Sequence, residues 1–159
     1  MKAAITAAIV VTEILAGFGV STSNNSIAAS LAASVNLDGT TTPPVTKHGI
    51  GELAMVDGAA TIDLRTLLNA AGAAVDGNGL KVQAVIFVGK VGNANPIKVA
   101  VGDTTGYELA GADFAVTLKA GDFAVLGFKD SLADIDATHK ILDVTGTGTQ
   151  VLQYLIVMG

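Results

Sequence analysis

Apolar and polar residues alternate with a period of two through much of the chain, and that period predicts strands. Ile5, Ala7, Ile9 and Val11 alternate with Thr6, Ala8, Val10 and Thr12, which predicts an opening strand over Ala3–Leu15. Gly17–Asn25 is a turn-rich connection in which Phe18 and Val20 leave room for a short strand. Ser26–Leu37 is Ala-rich enough for a helix, but its Ser spacing and its end at Asp38-Gly39 fit a strand better. Thr40–Pro44 holds two prolines without an N–H to donate, so it reads as an extended crossover. Thr46–Val56 is the next strand, and Gly49 and Gly51 within it predict a bulge or a sheet edge. Asp57-Gly58 then turns the chain into Ala59–Leu64, and Arg65–Ala71 is the best candidate for one or two helical turns.

Within Leu80–Val101, Val82–Val88 is the densest run of β-branched and apolar residues in the middle third of the chain. Val82–Val88 and Ile97–Val101 flank the Gly/Asn/Pro loop Gly89–Pro96, which predicts two neighbouring strands. Val82, Ala84, Ile86 and Val88 share one face, and Lys81, Gln83, Val85 and Phe87 the other. The second face begins polar and ends apolar, so the strand is expected to pass from partly wet to buried on both sides. Further on, Tyr107–Leu109, Phe114–Lys119 and Phe123–Phe128 read as strands, the last two joined in a hairpin by Ala120-Gly121-Asp122. Lys129–Thr138 reads as a loop or short helix, and Lys140–Val144 and Gln150–Met158 as closing strands around the turn Thr145–Thr149. Turn signals at this spacing predict an all-β, single-domain β-sandwich or jelly-roll-like fold of about 8–10 strands, with at most one or two short helical turns. Residues 1–25 are expected to form an N-terminal strand or arm, and residues 26–159 the sandwich.

Composition changes the picture of the surface. Of 159 residues, 50% are apolar and only 14% charged, against roughly 25% charged in an average soluble domain. Aromatics make up 4%, so the core must be built from Ala, Val, Leu and Ile. A chain with so little charge to cover its surface is expected to have part of it covered by other subunits. The net charge is −5, Arg65 is the single arginine, and the lysines are scattered, so direct nucleic-acid binding is not expected. There is no cysteine, hence no disulfide, thiol nucleophile or thiolate metal site. The apolar run at the N-terminus is too short to span a bilayer and is broken by Glu13, so it reads as a strand rather than a signal or anchor.

Candidate chemistry is sparse. Asp38, Asp57, Asp76 and Asp122 sit beside glycines in turns, where aspartate caps its own backbone. Asp63 and Asp143 lie in apolar runs and are expected to be outward-facing or to cap backbone groups. His48 and His139 are far apart in sequence, and no GxSxG accompanies them. Asp130, Asp134 and Asp136, like Asp76 with Asn78, have oxygen-ligand spacing but lack the glycine and terminal glutamate of an EF-hand loop. The glycine triplets at residues 49–51, 77–79 and 146–148 do not make a nucleotide loop. Asn24-Asn25-Ser26 is a formal glycosylation triplet that matters only in a secreted protein. Phe87, Tyr107, Phe114, Phe123, Phe128 and Tyr154 are dispersed and, without tryptophan, read as core or interface residues rather than a sugar platform. No catalytic, cofactor-binding or metal-binding residue is expected.

Several segments together carry a resemblance: LDGTTTPPVTK (Leu37–Lys47), GAATIDL (Gly58–Leu64), DGNGLKVQAV (Asp76–Val85), NANPIKVAVG (Asn93–Gly102), GYELAG (Gly106–Gly111), VTLKAGD (Val116–Asp122) and ATHKILDVTGTGT (Ala137–Thr149). The chain over most of residues 26–159 resembles small structural proteins of tailed-bacteriophage virions, such as capsid decoration (cement) proteins. The resemblance implies a β-rich fold, symmetric copies, location in the virion and no enzymatic activity. The implied partners are the major capsid protein or other virion subunits, and further copies of the chain itself, as in a trimer. The alternatives are another tail, collar or fibre component, or a secreted β-sandwich module for carbohydrate binding or adhesion. Met1–Leu15 is the segment expected to reach another subunit, by strand addition or as an extended arm.

Overall fold

The computed structural model describes residues 2–15, 25–128 and 131–159, with side chains from residue 38 onward. Among the described residues there are twelve strands and no helix, in keeping with the all-β class. The chain divides into two compact units, Ala3–Asn36 and Leu37–Gly159. The first consists of β1 (Lys2–Leu15) and β2 (Asn25–Asp38), which pair with each other as a two-stranded ribbon. Ser26–Leu37 is a strand, and its partner is β1 rather than a sandwich strand. The expected loop Gly17–Asn25, with its possible strand at Phe18 and Val20, lies outside the described residues except for its last position.

The second unit is a sandwich of two four-stranded antiparallel sheets. One sheet runs in the order β10 (Phe123–Gly127), β7 (Val82–Gly89), β12 (Val151–Met158), β3 (Lys47–Ala54). The other runs β4 (Ala59–Asp63), β11 (Ile141–Gly146), β8 (Ile97–Val101), β9 (Ala115–Leu118). The pairings are nested: β3 with β12, β4 with β11, β7 with β10, and β8 with β9. Two further pairings, β12 with β7 and β11 with β8, join these hairpin-like pairs into sheets. A small hairpin, β5 (Leu67–Leu68) and β6 (Ala74–Val75), completes the unit.

Nesting overturns three local expectations. Val82–Val88 and Ile97–Val101 do not pair. Both edges of β7 are taken by β10 and β12, and both edges of β8 by β9 and β11, so the loop between them crosses from one sheet to the other. Asn93 holds that loop by imitating a strand residue: its side chain donates to the Val151 carbonyl (2.9 Å) and accepts from the Val151 N–H (2.9 Å). Likewise Ala120-Gly121-Asp122 makes a tight turn, but it links β9 to β10 across the sheets rather than within a hairpin. The turn docks on Gly89, where a side chain would overlap the Lys119 carbonyl oxygen. Thirdly, Arg65–Ala71 is not helical. Leu67 is drawn into the core at 2% exposure, and Asn69 Oδ1 accepts the N–H groups of Ala71 and Ala73 to close the β5–β6 turn.

Smaller differences have similar causes. β3 is an edge strand, as its glycines suggest, but its register against β12 runs without a bulge. Its glycines make room instead: a Cβ at Gly49 would lie 2.5 Å from Leu67 Cδ1, and one at Gly51 would lie 2.9 Å from the Tyr154 hydroxyl. Tyr107–Leu109 is not a strand, although Tyr107 and Leu109 are buried beside the single bridge from Gly106 to Ile141. The described part of Lys129–Thr138 is loop. Gln83, expected at the wet end of β7, is fully buried and donates to the Pro43 carbonyl at 2.7 Å.

One core fills the space between the sheets. Val85 and Phe87 of β7 and Leu152, Ile156 and Met158 of β12 meet Ile62 of β4, Leu142 and Val144 of β11, and Ile97 and Val99 of β8. Tyr107 closes one end. Its hydroxyl accepts from the buried Val82 N–H (3.1 Å) and donates to the Ala133 carbonyl (2.8 Å), fastening the loop before Ile135 to the start of β7. Burial pushes the Tyr107 phenol up to about 12. Tyr107→Phe is expected to cost about 1–3 kcal/mol in urea unfolding, because it leaves the Val82 N–H without its partner. The folded phenol holds its proton to higher pH than the unfolded one. Its stabilising contribution is thus complete below the unfolded value near 10 and is lost as pH rises towards about 12. The variant should lose that part of the alkaline dependence.

Candidate assembly surface

The two sheets differ in what they show to the outside. On the β4–β11–β8–β9 sheet the outer rows are Thr61, Asp143, Ala100, Ala115 and Ala59, Thr145, Lys98, Thr117. Small and polar side chains of this kind suit a solvated antiparallel face. On the other sheet, the row directly across is Ile50, Leu155, Ile86, Val125, and the next is Glu52, Gln153, Val88, Phe123. Ile50 is 41% exposed and Phe123 71%, while Leu155, Ile86, Val125 and Val88 are half-buried. The Ile50 row is apolar across all four strands, and the next row is polar on β3 and β12 and apolar on β7 and β10.

A groove of about 670 Å³ lies over the β3–β12–β7 part of that face. Ile50, Leu155, Ile86 and Val88 contribute from the sheet, and Leu68 and Asn69 of the β5–β6 hairpin line it as well. Leu68 is 50% exposed, so the hairpin adds to the apolar area. The polar rim is self-contained. Lys90 pairs with Glu52 at 2.7 Å, Gln153 Nε2 donates to the same carboxylate at 2.6 Å, and these bonds hold the Glu52 carboxyl below its ordinary range. What the surface can do chemically is bury apolar area; among the described residues lining the groove, the one charged side chain, Glu52, is paired with Lys90.

The residues singled out for chemistry do not converge. His48 lines a cavity of about 240 Å³ with Asn69 and Asp76, whereas His139 lines another of about 370 Å³ with Tyr107, Glu108 and Ser131. His139 Nδ1 lies 3.2 Å from Asp136 Oδ1 and 3.0 Å from Thr138 Oγ1, all within one exposed turn. Ser131 shares the cavity but makes no hydrogen bond to the imidazole among those found, so a nucleophile–base pair is not assembled there. Asp63 accepts the Arg65 N–H (2.9 Å) and pairs with Lys140 (3.2 Å), and Asp143 accepts the Asp103 N–H (3.0 Å). Asp134 pairs with Lys81 at 3.1 Å, and Asp76 caps Asn78 at 2.9 Å while Arg65 approaches it at 3.6 Å. Asp130 lies outside the described residues. Among the described residues no three His, Cys, Asp or Glu side chains gather as metal ligands would. Phe87 and Tyr107 are buried, Phe114, Phe128 and Tyr154 pack against the core, and Phe123 is the aromatic ring most open to solvent among the described residues.

The apolar face could have been read from the alternation only after the register was known. Val82, Ala84, Ile86 and Val88 form a clean apolar set, but the core takes Val85 and Phe87 from the opposite set, leaving Ile86 and Val88 outside. With that geometry in hand, comparison with known proteins adds nothing further: no family model, curated protein or solved structure matches this chain.

The Asp136 turn generates a test of its own. Hydrogen bonds from the Thr138 hydroxyl and N–H and from His139 hold the Asp136 carboxyl down to about 2. The contribution of this carboxylate to holding the turn is present above the unfolded value and is lost as pH falls through it towards about 2. Carboxyl chemical shifts followed by NMR should show Asp136 titrating well below the ordinary aspartate value, and Thr138→Ala should move it upward.

Proposed function

We propose that this chain is a non-enzymatic structural subunit of a tailed-bacteriophage particle, a decoration protein that sits on the capsid lattice and bridges its subunits. The observation that carries the reading is the apolar outer face spanning Ile50, Leu155, Ile86, Val125, Val88 and Phe123. An isolated monomer gains nothing from such a face, whereas a subunit docked on a lattice covers it. Three further features support it. The nested pairing of eight strands in two sheets supports a jelly-roll reading, a form used by viral capsid and lectin domains. The carboxylates described above are spent on turns and local ion pairs, which leaves little for chemistry. The segments quoted above together resemble small structural proteins of tailed-bacteriophage virions. Bridging neighbouring subunits stabilises a shell by mass action, since the bound form of the lattice is favoured over the opened one.

A tail, collar or fibre position would use the same surface with fewer copies. The decisive measurement is the heat and osmotic resistance of particles prepared with and without this protein, together with its copy number by quantitative mass spectrometry. Hundreds of copies and earlier genome release in particles lacking it are the expected results. Equal resistance would remove the cementing role, and absence of the chain from purified particles would remove the virion assignment altogether.

A further inference from the structure

The sandwich has an edge strand at each side of each sheet, β10 and β3 in one and β4 and β9 in the other. An edge strand shows unpaired N–H and C=O groups to any other chain, and proteins blunt it with charge, cover or shortness. Three of these edges are blunted. β3 carries His48 and Glu52 on its free side, and Leu67 of the β5–β6 hairpin packs against its Gly49. On β4 the Ala59 N–H donates to the Val56 carbonyl, the Asp63 carbonyl accepts the Thr66 N–H, and the Asp63 carboxylate pairs with Lys140. β9 is the shortest of the four and turns only Ala115 and Thr117 outward before Lys119.

β10 has none of these guards. Gly89 donates to the Asp122 carbonyl (2.9 Å) and Phe128 to the Gln83 carbonyl (2.7 Å), which sets Asp122, Ala124, Leu126 and Phe128 towards β7. Phe123, Val125 and Gly127 therefore turn their N–H and C=O groups to the open side, where no hydrogen bond to them is found among the described residues. The strand Phe123–Gly127 contains neither charge nor proline. Those three residues are also complementary to themselves. Placed antiparallel about a twofold axis, Val125 faces Val125 of a second copy and Phe123 faces its Gly127, and each facing pair exchanges both N–H···O bonds. A glycine weakens a strand because it has no side chain to pack, and an aromatic ring across from it supplies the cover. Phe123 and Gly127 are both exposed, so the twofold brings the open ring onto the bare position at either end.

We propose that β10 pairs with β10 of a second copy in this register, joining the two β10–β7–β12–β3 sheets into one continuous sheet. The row Ile50, Leu155, Ile86, Val125 then runs unbroken across both copies. Backbone bonds alone accept any strand; the Phe–Val–Gly pattern is what selects an antiparallel copy of itself, as a twofold contact requires. The proposal does not rest on the virion assignment. Five residues on one edge cover well under the roughly 800 Å² per partner of a standard interface, so the pair is weak, with a dissociation constant on the order of 0.1 mM.

Amide exchange read residue by residue by NMR is the direct test. Between about 0.02 and 1 mM protein, exchange at Phe123, Val125 and Gly127 should slow roughly three- to fivefold, as mass action at that affinity requires. Ala124 and Leu126, which face β7, should stay slow throughout. Sedimentation should move from 15.9 kDa towards twice that mass over the same range. Val125→Lys sets like charges directly across the axis, and Phe123→Lys removes the ring over Gly127; each should weaken association about tenfold or more. Phe123→Lys, at an exposed position, should keep the urea midpoint, and Leu68→Lys, exposed on the hairpin beyond β3, should leave association unchanged. A chain that stays monomeric at about 1 mM, exchange at the three outward amides that ignores concentration, or equal weakening by Leu68→Lys and Phe123→Lys would each overturn the proposal. Every readout uses the purified chain, so absence of the protein from particles would remove the virion reading and leave this one standing.

Discussion

A two-sheet sandwich can bury only one face of each sheet against the other, and this chain has more apolar strand face than that arrangement can hide. β7 and β12 are the central strands of their sheet and are apolar on both sides: Val85, Phe87, Leu152 and Ile156 point into the core, and Ile86, Val88 and Leu155 point away from it. Full burial of a side chain of this size is worth about 1.5–3 kcal/mol, and the outward set realises only part of that within the sandwich. Against a typical net stability of about 5–15 kcal/mol, the unrealised remainder is large. The opposite sheet, with Thr61, Lys98, Thr117, Asp143 and Thr145 outside, carries no such surplus. The asymmetry is a property of the fold, and whichever neighbour meets the apolar sheet recovers the difference.

Nesting explains why the surplus falls where it does. The first sandwich strand, β3, pairs with the last, β12, so Lys47 lies across from Met158 and almost the whole unit is enclosed between them. The end of the chain is tied in again where Lys81 and Gly159 exchange backbone hydrogen bonds at 2.9 and 3.0 Å. A sheet whose centre is assembled from residues so distant in sequence is closed late in folding, because each such pairing carries a loop-closure cost. Strands of this kind profit from high β-propensity throughout, and Val, Ile and Leu dominate both faces of β12. The apolar outer face is thus continuous with the requirement that the central strands hold together.

Sequence reasoning reached the strands but not their partners. Period-two alternation located β1, β2, β3, β4, β7, β8, β9, β10, β11 and β12 to within a few residues, because alternation is a local consequence of the pleat. Partnering is not local. Val82–Val88 and Ile97–Val101 look like a hairpin for the same reason that any two strands around a Gly/Asn/Pro loop do. Only the competing demands of β10, β12, β9 and β11 send them to different sheets. The helical turn expected at Arg65–Ala71 failed because Leu67 has a core place and Asn69 can close a turn with its side chain. The surface was half legible: low charge pointed to apolar area on the outside, but which face carries it depended on whether the Val85 set or the Ile86 set turned inward. Asn93 carried no advance signal at all, since its strand-like pair with Val151 exists only once the crossover is in place.

Much of the charge among the described residues is spent locally, and that bears on the character of a contact made through the apolar face. Asp63, Asp76, Asp134 and Asp136 are satisfied by nearby N–H groups, lysines or the single arginine. Glu52 is satisfied across strands by Lys90 and Gln153. Exposed pairs of this kind add little to stability and still less to attraction at a distance. Association through the Ile50–Phe123 face would therefore depend on water released from apolar side chains. It should respond weakly to salt, because screening acts on long-range charge. It should weaken on cooling, because apolar burial loses strength at low temperature. The polar sheet has the opposite character. In an assembly of the proposed kind, that difference alone would orient the chain, with the apolar sheet against its neighbour and the Thr/Lys sheet towards solvent.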